Sequence, residues 1–323
     1  MENPLAKLVP QFFGDYPKQF LELYNQVYVP PELNKDEIKD NLWKAFEFGS
    51  RYHEGQKRKS GEPYFNHCVE VAVTLAGWNM DYTTIMAGLL HDVVEDTNIT
   101  LVDIEREFNK DLANLVDGLT KISGIEFGTR KEKQAGNFMK MLLSVAKDIR
   151  VIIIKFADRM HNMKTITHMP RMKQRRIAIE TRDVYSPLAH RLGMASVKSK
   201  LDDLAFRVLN KDEYDSIASK LKTTNKQRKK LINSYIEPIS NGLEKYKMDC
   251  NIFGRSKSFY SIYGKMLNRN KAFEDIYDIY AIRIIVDKIE DCYSALGVVH
   301  SIFTPVQERF KDFIATPKSN GYQ

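Results

Sequence analysis

The hydrophobic period of the chain changes once, near residue 246, and that change limits the fold more than any other feature. From about residue 18 to 210, apolar residues recur at intervals of three and four, as in "FLELYNQV" and "LWKAFEFGSRYH", the spacing of helices with one buried face. The stretch that follows turns polar and lysine-rich after residue 211 and reads as linking helices. Beyond 246, "DIYAIRIIV" is rich in β-branched and aromatic residues, "CYSALGVVHSIF" resumes a helical period, and "ATPKSNGYQ" is loop-like. The expected fold is mainly α: an all-helical domain over 1–200, linking helices over 201–245, and the start of an α/β domain over 246–323.

At 323 residues the chain has room for two domains with separate cores, or one and part of another. The net charge of +7 favours an anionic partner without choosing among nucleic acid, membrane surface and phosphorylated metabolites. Three widely spaced cysteines, Cys68, Cys250 and Cys292, support neither a disulfide framework nor a cysteine zinc site. The opening "MENPLAKLVPQFFGDY" lacks a leader pattern, and no stretch approaches the roughly 18 apolar residues of a membrane span. A soluble cytoplasmic protein that does not engage a membrane is expected.

Chemistry concentrates in "HDVVEDT", residues 91–97, directly after the apolar run Ile85–Leu90. On a helix advancing about 100° per residue, His91, Asp92, Glu95 and Asp96 fall within an arc of roughly 140°. Met86, Leu90, Val93 and Val94 take the opposite side. Acids this close raise one another's pKa unless a cation is present, so the pattern asks for a metal. Two further ligand candidates lie on other expected helices: His67, in the helix that "GEPY" opens with Pro63 in its first turn, and Asp158, in "ADRMHNM". Asn162 and Thr165 share the Asp158 face at i+4 and i+7. Two histidines and two aspartates form a nitrogen–oxygen shell without thiolate, which suits Mn²⁺ or a similar borderline metal better than structural zinc.

The order H…HD…D is the pattern of the HD phosphohydrolase superfamily, and the resemblance narrows further. "RKSGEPYFNH" (58–67), "HDVVEDT" (91–97), "KFADRMHNMKTI" (155–166) and "YSPLAHRLGM" (185–194) resemble the hydrolase half of the long Rel/SpoT enzymes of the stringent response. "GRSKSFYSIYGKM" (254–266), "DIYDIYAIR" (275–283) and "RFKDFIATPKSNGYQ" (309–323) resemble their synthetase half, a nucleotidyltransferase-like α/β domain. The resemblance implies removal of the 3′-diphosphate of guanosine tetra- or pentaphosphate, giving pyrophosphate and GDP or GTP. It implies that His67, His91, Asp92 and Asp158 hold Mn²⁺, with Glu95 and Asp96 handling protons and water. Arg58, Lys59, Asn162, Thr165 and Arg175 become the expected substrate contacts.

For the second half the resemblance implies pyrophosphoryl transfer from ATP to GDP or GTP with Mg²⁺, as in a GTP pyrophosphokinase. It assigns nucleotide contacts to Arg255, Lys257, Ser261, Lys265, Lys311, Lys318 and Tyr322, and the Mg²⁺ ligand to Asp278. Lys257, Ser261 and Lys265 are spaced by four, as on one helix face. Ser256, Ser258 and Gly264 depart from the family's more usual proline, histidine and arginine. The family's catalytic glutamate and remaining strands would follow "GYQ", so the synthetase domain is expected to be incomplete and without transfer activity. Ribosome and tRNA sensing belong, by the same resemblance, to domains beyond it. Two other readings stay open: a different HD-superfamily nucleotide phosphohydrolase, and a basic binding protein without catalysis.

Overall fold

The computed structural model describes residues 16–123, 147–221, 225–270 and 272–323. Apart from Tyr16, the opening segment read for a leader lies outside them. The chain divides into two units, Met1–Leu209 and Asn210–Gln323.

In the first unit, α1 (Lys18–Tyr24) and α2 (Lys35–Tyr52) precede α3 (Phe65–Ala76) and α4 (Tyr82–Leu90). Then come α5 (Val93–Asp96), α6 (Leu101–Glu107), α7 (Lys110–Ser123) and α8 (Ile149–Lys164). The unit closes with α9 (Arg171–Glu180), a π-helical turn Thr181–Tyr185, α10 (Ser186–Arg191) and α11 (Ala195–Leu209).

Polar residues start these helices by accepting the backbone N–H groups that a first turn leaves without partners. Asn34 accepts from Asp36 N, Asp81 from Thr84 N and Asp148 from Arg150 N. Thr100 and Asp103 cap each other's backbone at the start of α6, a reciprocal capping box. The expected proline start of α3 differs in detail: Pro63 lies ahead of the helix, paired with Lys57 in a short antiparallel bridge. Gly77 ends α3, as its position suggests.

The core sits where α3, α4 and α8 meet. Leu75, Leu89, Leu90, Ile152 and Phe156 are fully buried there, each stabilising the fold by about 1.5–3 kcal/mol. Gly88 sets how closely α4 approaches α3, because a Cβ at this position would stand 2.6 Å from the Leu75 side chain. Behind α8, the Arg159 guanidinium pairs with Glu180 at 2.8 Å and lies 4.2 Å from the centre of the Tyr185 ring. The π-helical turn thus ties α8 to the "YSPLAHRLGM" segment. Ser186, which opens α10, donates to the buried Asp202, which also receives Lys198.

The second unit holds α12 (Lys211–Leu221), α13 (Asn225–Lys245), β1 (Asn251–Ser256), α14 (Phe259–Arg269), β2 (Tyr280–Ile285) and α15 (Ile289–Ile302). Strands β1 and β2 pair antiparallel, with Asn251 opposite Ile285 and Ser256 opposite Tyr280. Ile252, Ile282 and Ile284 face a core made with Ile239, Leu243, Ala295 and Val298 of α13 and α15. Phe253 and Ile285, on the other face, are about half exposed. The expected boundary at residue 200 falls inside α11, which packs wholly within the first unit. Helix α13, expected as a linker, instead covers the sheet of the second.

Both the mainly helical class and the change to α/β after 246 are therefore as the periodicity predicts. No helix among the described residues is long and apolar enough to cross a membrane.

Candidate active site

The HDVVEDT segment departs from the continuous helix expected of it. Helix α4 ends at Leu90, Asp92 sits at φ −103° and ψ −5°, and a separate turn of helix, α5, begins at Val93. The Asp92 backbone lies in the sparsely used bridge region, where many active-site residues occur. Apolar anchoring survives the break: Val93 is fully buried and Val94 partly so, while Glu95 and Asp96 are exposed.

His91 is fully buried. Its Nδ1 donates to the Gly88 carbonyl at 2.9 Å, which turns Nε2 inward. Nε2 makes no hydrogen bond, although Asp92 Oδ2 lies 3.1 Å away. His67 projects from α3 with Nε2 3.3 Å from Asp158 Oδ1 and 3.8 Å from Asp92 Oδ2. Ligand atoms of His67, His91 and Asp158 all lie within 4.8 Å of one another. The pair distances of 3.1, 3.3 and 3.8 Å fall within the roughly 4.4 Å that two atoms sharing one ion at about 2.0–2.2 Å can span.

Electrostatics describe a shell built around positive charge. Burial would raise the Asp92 and Asp158 carboxyls, but His91 and Lys155, with His67 for Asp158, hold both far below the usual carboxylate range. Burial pulls the His91 imidazole down, yet Asp92 and then Asp158 outweigh it and hold it up at about 9, so the position they face at Nε2 favours a cation, whether a proton or, in its place, a metal ion. Burial wins at His67, which is lowered and kept neutral, the state in which imidazole binds metals. Lys155 is almost fully buried, with Nζ 3.8 Å from Asp158 Oδ2, and stays charged because Asp158 and Asp92 offset its desolvation.

An orphaned imidazole nitrogen among two carboxylates and a second imidazole fits a divalent cation. Cys68 Sγ also falls within reach of His91 and Asp92. Burial and the two carboxylates push this thiol up, which keeps it protonated and the donor set nitrogen and oxygen.

The substrate candidates converge in part. Between α2 and α3 the chain makes a tight hairpin in which Arg58 N donates to Glu62 O and Tyr64 N to Gln56 O, both at 2.9 Å. Gly61 turns it at φ +89°, a conformation open to glycine at little cost. The hairpin aims Arg58 at α8, where its guanidinium donates to Asn162 Oδ1 at 2.5 Å, His161 Nδ1 at 3.0 Å and Thr165 Oγ1 at 3.4 Å. Asn162 in turn donates to Asp158. Arg58, Asn162 and Thr165 thus form one group beside the metal shell. Lys59 and Arg175 are exposed, the latter on α9. Glu95 acts electrostatically on Lys155, and Asp96 on the Tyr64 hydroxyl.

Four participants escape the sequence reading. Tyr64 donates to Asp92 Oδ2 at 2.7 Å; burial first, then Asp92 and Asp96, push its hydroxyl up and keep it a donor. Gln56 donates to the Asp96 carbonyl at 2.9 Å and so holds α5 to the hairpin. Lys155 left a signal, a single charge inside the apolar run "VIIIKFA". His161, three residues after Asp158, left only its shared helix face.

In the second unit, Lys257 Nζ donates to Asp278 Oδ2 at 2.7 Å, and Lys265 reaches the same oxygen. Burial opposes ionisation of Asp278, but the two lysines hold it down at about 2. Lys257 precedes α14 instead of sharing its face, since Ser258 is the cap and Ser261 N bonds back to the Ser258 hydroxyl. It still reaches Lys265 through Asp278, because its backbone N–H is anchored to Ile279 O at 2.7 Å. An open groove is lined by Lys265, Asp278, Arg309 and Lys311. Arg255 is exposed on β1. Lys318 Nζ lies 4.3 Å from the centre of the exposed Tyr322 ring.

Histidines and aspartates gathered from neighbouring helices around one inward-facing imidazole nitrogen define a helical domain of the HD class, and an HD domain model matches residues 45–195. A second family model, the region found in RelA/SpoT proteins, matches residues 254–323. The bifunctional (p)ppGpp synthase/hydrolase SpoT of Escherichia coli (strain K12) is 46% identical over 298 residues, covering 92% of this chain and 42% of that protein. The GTP pyrophosphokinase of Myxococcus xanthus is 43% identical over 314 residues, 96% of this chain and 41% of that protein. The chain carries an HD domain and a region found in RelA/SpoT proteins, and it spans about two-fifths of the length of these curated relatives. A solved chain described as "A metazoan ortholog of SpoT hydrolyzes ppGpp and plays a role in starvation responses" is 26% identical over 56% of this chain and 97% of that one, with a TM-score of 0.39.

Proposed function

We propose that the first unit hydrolyses the 3′-diphosphate of guanosine tetra- or pentaphosphate, releasing pyrophosphate and GDP or GTP. The observation that carries this reading is the orphaned, fully buried Nε2 of His91, faced by Asp92, His67 and Asp158. The relatives support the choice of substrate: proteins named as (p)ppGpp synthase/hydrolase and 3′-pyrophosphohydrolase align over the whole site.

His67, His91, Asp92 and Asp158 would hold Mn²⁺, which when bound polarises a phosphate oxygen and acidifies a water. Asp96 and Glu95, exposed one turn beyond the His-Asp pair, would orient that water and accept its proton. Tyr64 keeps Asp92 turned toward the shell through its 2.7 Å hydrogen bond. Arg58 supplies a planar cation for the base or phosphates, and Asn162 and Thr165 supply hydrogen-bonding groups beside it. Lys59 and Arg175 offer outer cationic contacts.

For the second unit we propose nucleotide binding of the kind pyrophosphoryl transfer from ATP to GDP or GTP requires. Asp278 would take Mg²⁺, with Arg255, Lys257, Ser261, Lys265, Lys311 and Lys318 on phosphates and Tyr322 stacking on guanine.

The test is pyrophosphate release from guanosine 3′,5′-bis(diphosphate) with Mn²⁺, with Mg²⁺ and with a chelator. Turnover in Mn²⁺ that the chelator abolishes is expected. Preference for a 5′-monophosphorylated nucleotide would move the domain to another HD phosphohydrolase activity, and metal-independent binding without turnover would reject catalysis.

A further inference from the structure

His161 Nδ1 lies 2.7 Å from His67 Nδ1 and 3.0 Å from the Arg58 Nη1 atom. Two ring nitrogens this close share one proton, so one imidazole donates and the other accepts. Arg58 decides which. A guanidinium only donates, so the His161 nitrogen that it reaches carries a lone pair. The N–H of the pair therefore belongs to His67 Nδ1, and the other nitrogen of that ring, Nε2, presents its lone pair to Asp158 and Asp92 at 3.3 and 3.8 Å.

We propose that His161 is a positioning residue that holds His67 in its metal-ligating tautomer and so sets the affinity of the centre for a divalent cation. The proposal rests on the reading of His67, His91, Asp92 and Asp158 as a metal shell. The two histidines of that shell are oriented by different means. His91 donates its second N–H to a backbone carbonyl, that of Gly88, which no substitution removes. His67 depends on a side chain, and one that also serves Arg58. Withdrawing Arg58 removes the donor that fixes the shared proton on His67 but leaves His161 in place to accept it, so loss of the arginine loosens the ligand less than loss of His161.

The test is titration of the metal-stripped full chain with Mn²⁺, followed by the electron paramagnetic resonance of the free ion and by calorimetry. The wild type is expected to bind one ion, and His161→Ala to weaken it about 10–100-fold, the usual effect of losing an outer-shell partner. His161→Asn, whose Oδ1 stands where Nδ1 stood, recovers most of that loss. Arg58→Ala is expected to weaken Mn²⁺ binding less than His161→Ala, because the accepting imidazole is still present. Melting of the metal-stripped variants controls for folding. Should His161→Ala not fold, His161→Asn against His161→Gln decides, because the longer amide carries its oxygen past the Nδ1 position; tighter binding by the asparagine variant is expected. Equal affinity of wild type and His161→Ala, or of the asparagine and glutamine variants, overturns the proposal. No Mn²⁺ binding by the wild type would instead overturn the metal shell itself.

Discussion

The two units each gather carboxylate and cation, in opposite ways. In the first, the side chains of His67, His91 and Asp158 are 1%, 0% and 16% exposed and are held by the helices that make the core. In the second, Lys257, Lys265 and Asp278 are 18%, 28% and 53% exposed and meet over a two-stranded sheet. Charges in the dry setting interact strongly and cannot turn to water for relief, so their geometry is fixed before any ligand arrives. Those in the wet setting are screened, and their lysines can exchange Asp278 for phosphate. Burial builds a rigid centre, and exposure an adaptable one.

The contrast can be broken most sharply at His91. His91→Ala should reduce Mn²⁺-dependent pyrophosphate release to the background of chelator-treated enzyme while far-ultraviolet circular dichroism stays unchanged; retained turnover would falsify a buried metal centre. Next in size, Asp96→Asn should lower kcat by about 10²–10⁴-fold, the range for loss of a general acid or base. Its Mn²⁺ affinity should match wild type, and a parallel loss of affinity would make Asp96 a ligand instead.

In the wet cluster the effect should be smaller. Lys265→Ala should weaken ATP binding by about tenfold at low salt, as for one charged hydrogen bond, and the difference should shrink at high salt. A salt-independent difference, measured by calorimetry, would place Lys265 in a buried setting after all. Smallest is Thr100→Ala, which removes the reciprocal cap of α6 and should cost about 1 kcal/mol in urea unfolding. Pyrophosphate release should not change.

How much of this was legible depended on sequence distance. The helical class and the change after 246 follow from periodicity, which acts within a few residues. The ligand types in HDVVEDT are local for the same reason. The break at Asp92 was not legible, and the partner of its carboxylate, the Tyr64 hydroxyl, lies 28 positions away. Lys257 was put on the wrong element because a spacing of four also arises when a cap residue intervenes. His161 was passed over because its partners are 94 and 103 positions distant. Lys155 could have been flagged as a charge in an apolar run, but its counter-ions could not.

Those distances have a consequence for folding. The contact between His67 and His161 closes a loop of 94 positions, and such long-range contacts form late because chain entropy must first be overcome. A chain with its helices formed but α3 and α8 still apart holds only the adjacent His91–Asp92 pair, too few donors for tight binding. An ion held by the proposed shell would therefore distinguish the finished topology from its precursors and stabilise only the former, by RT ln(1 + [M]/Kd). Metal uptake by that shell would then be a signal that folding is complete.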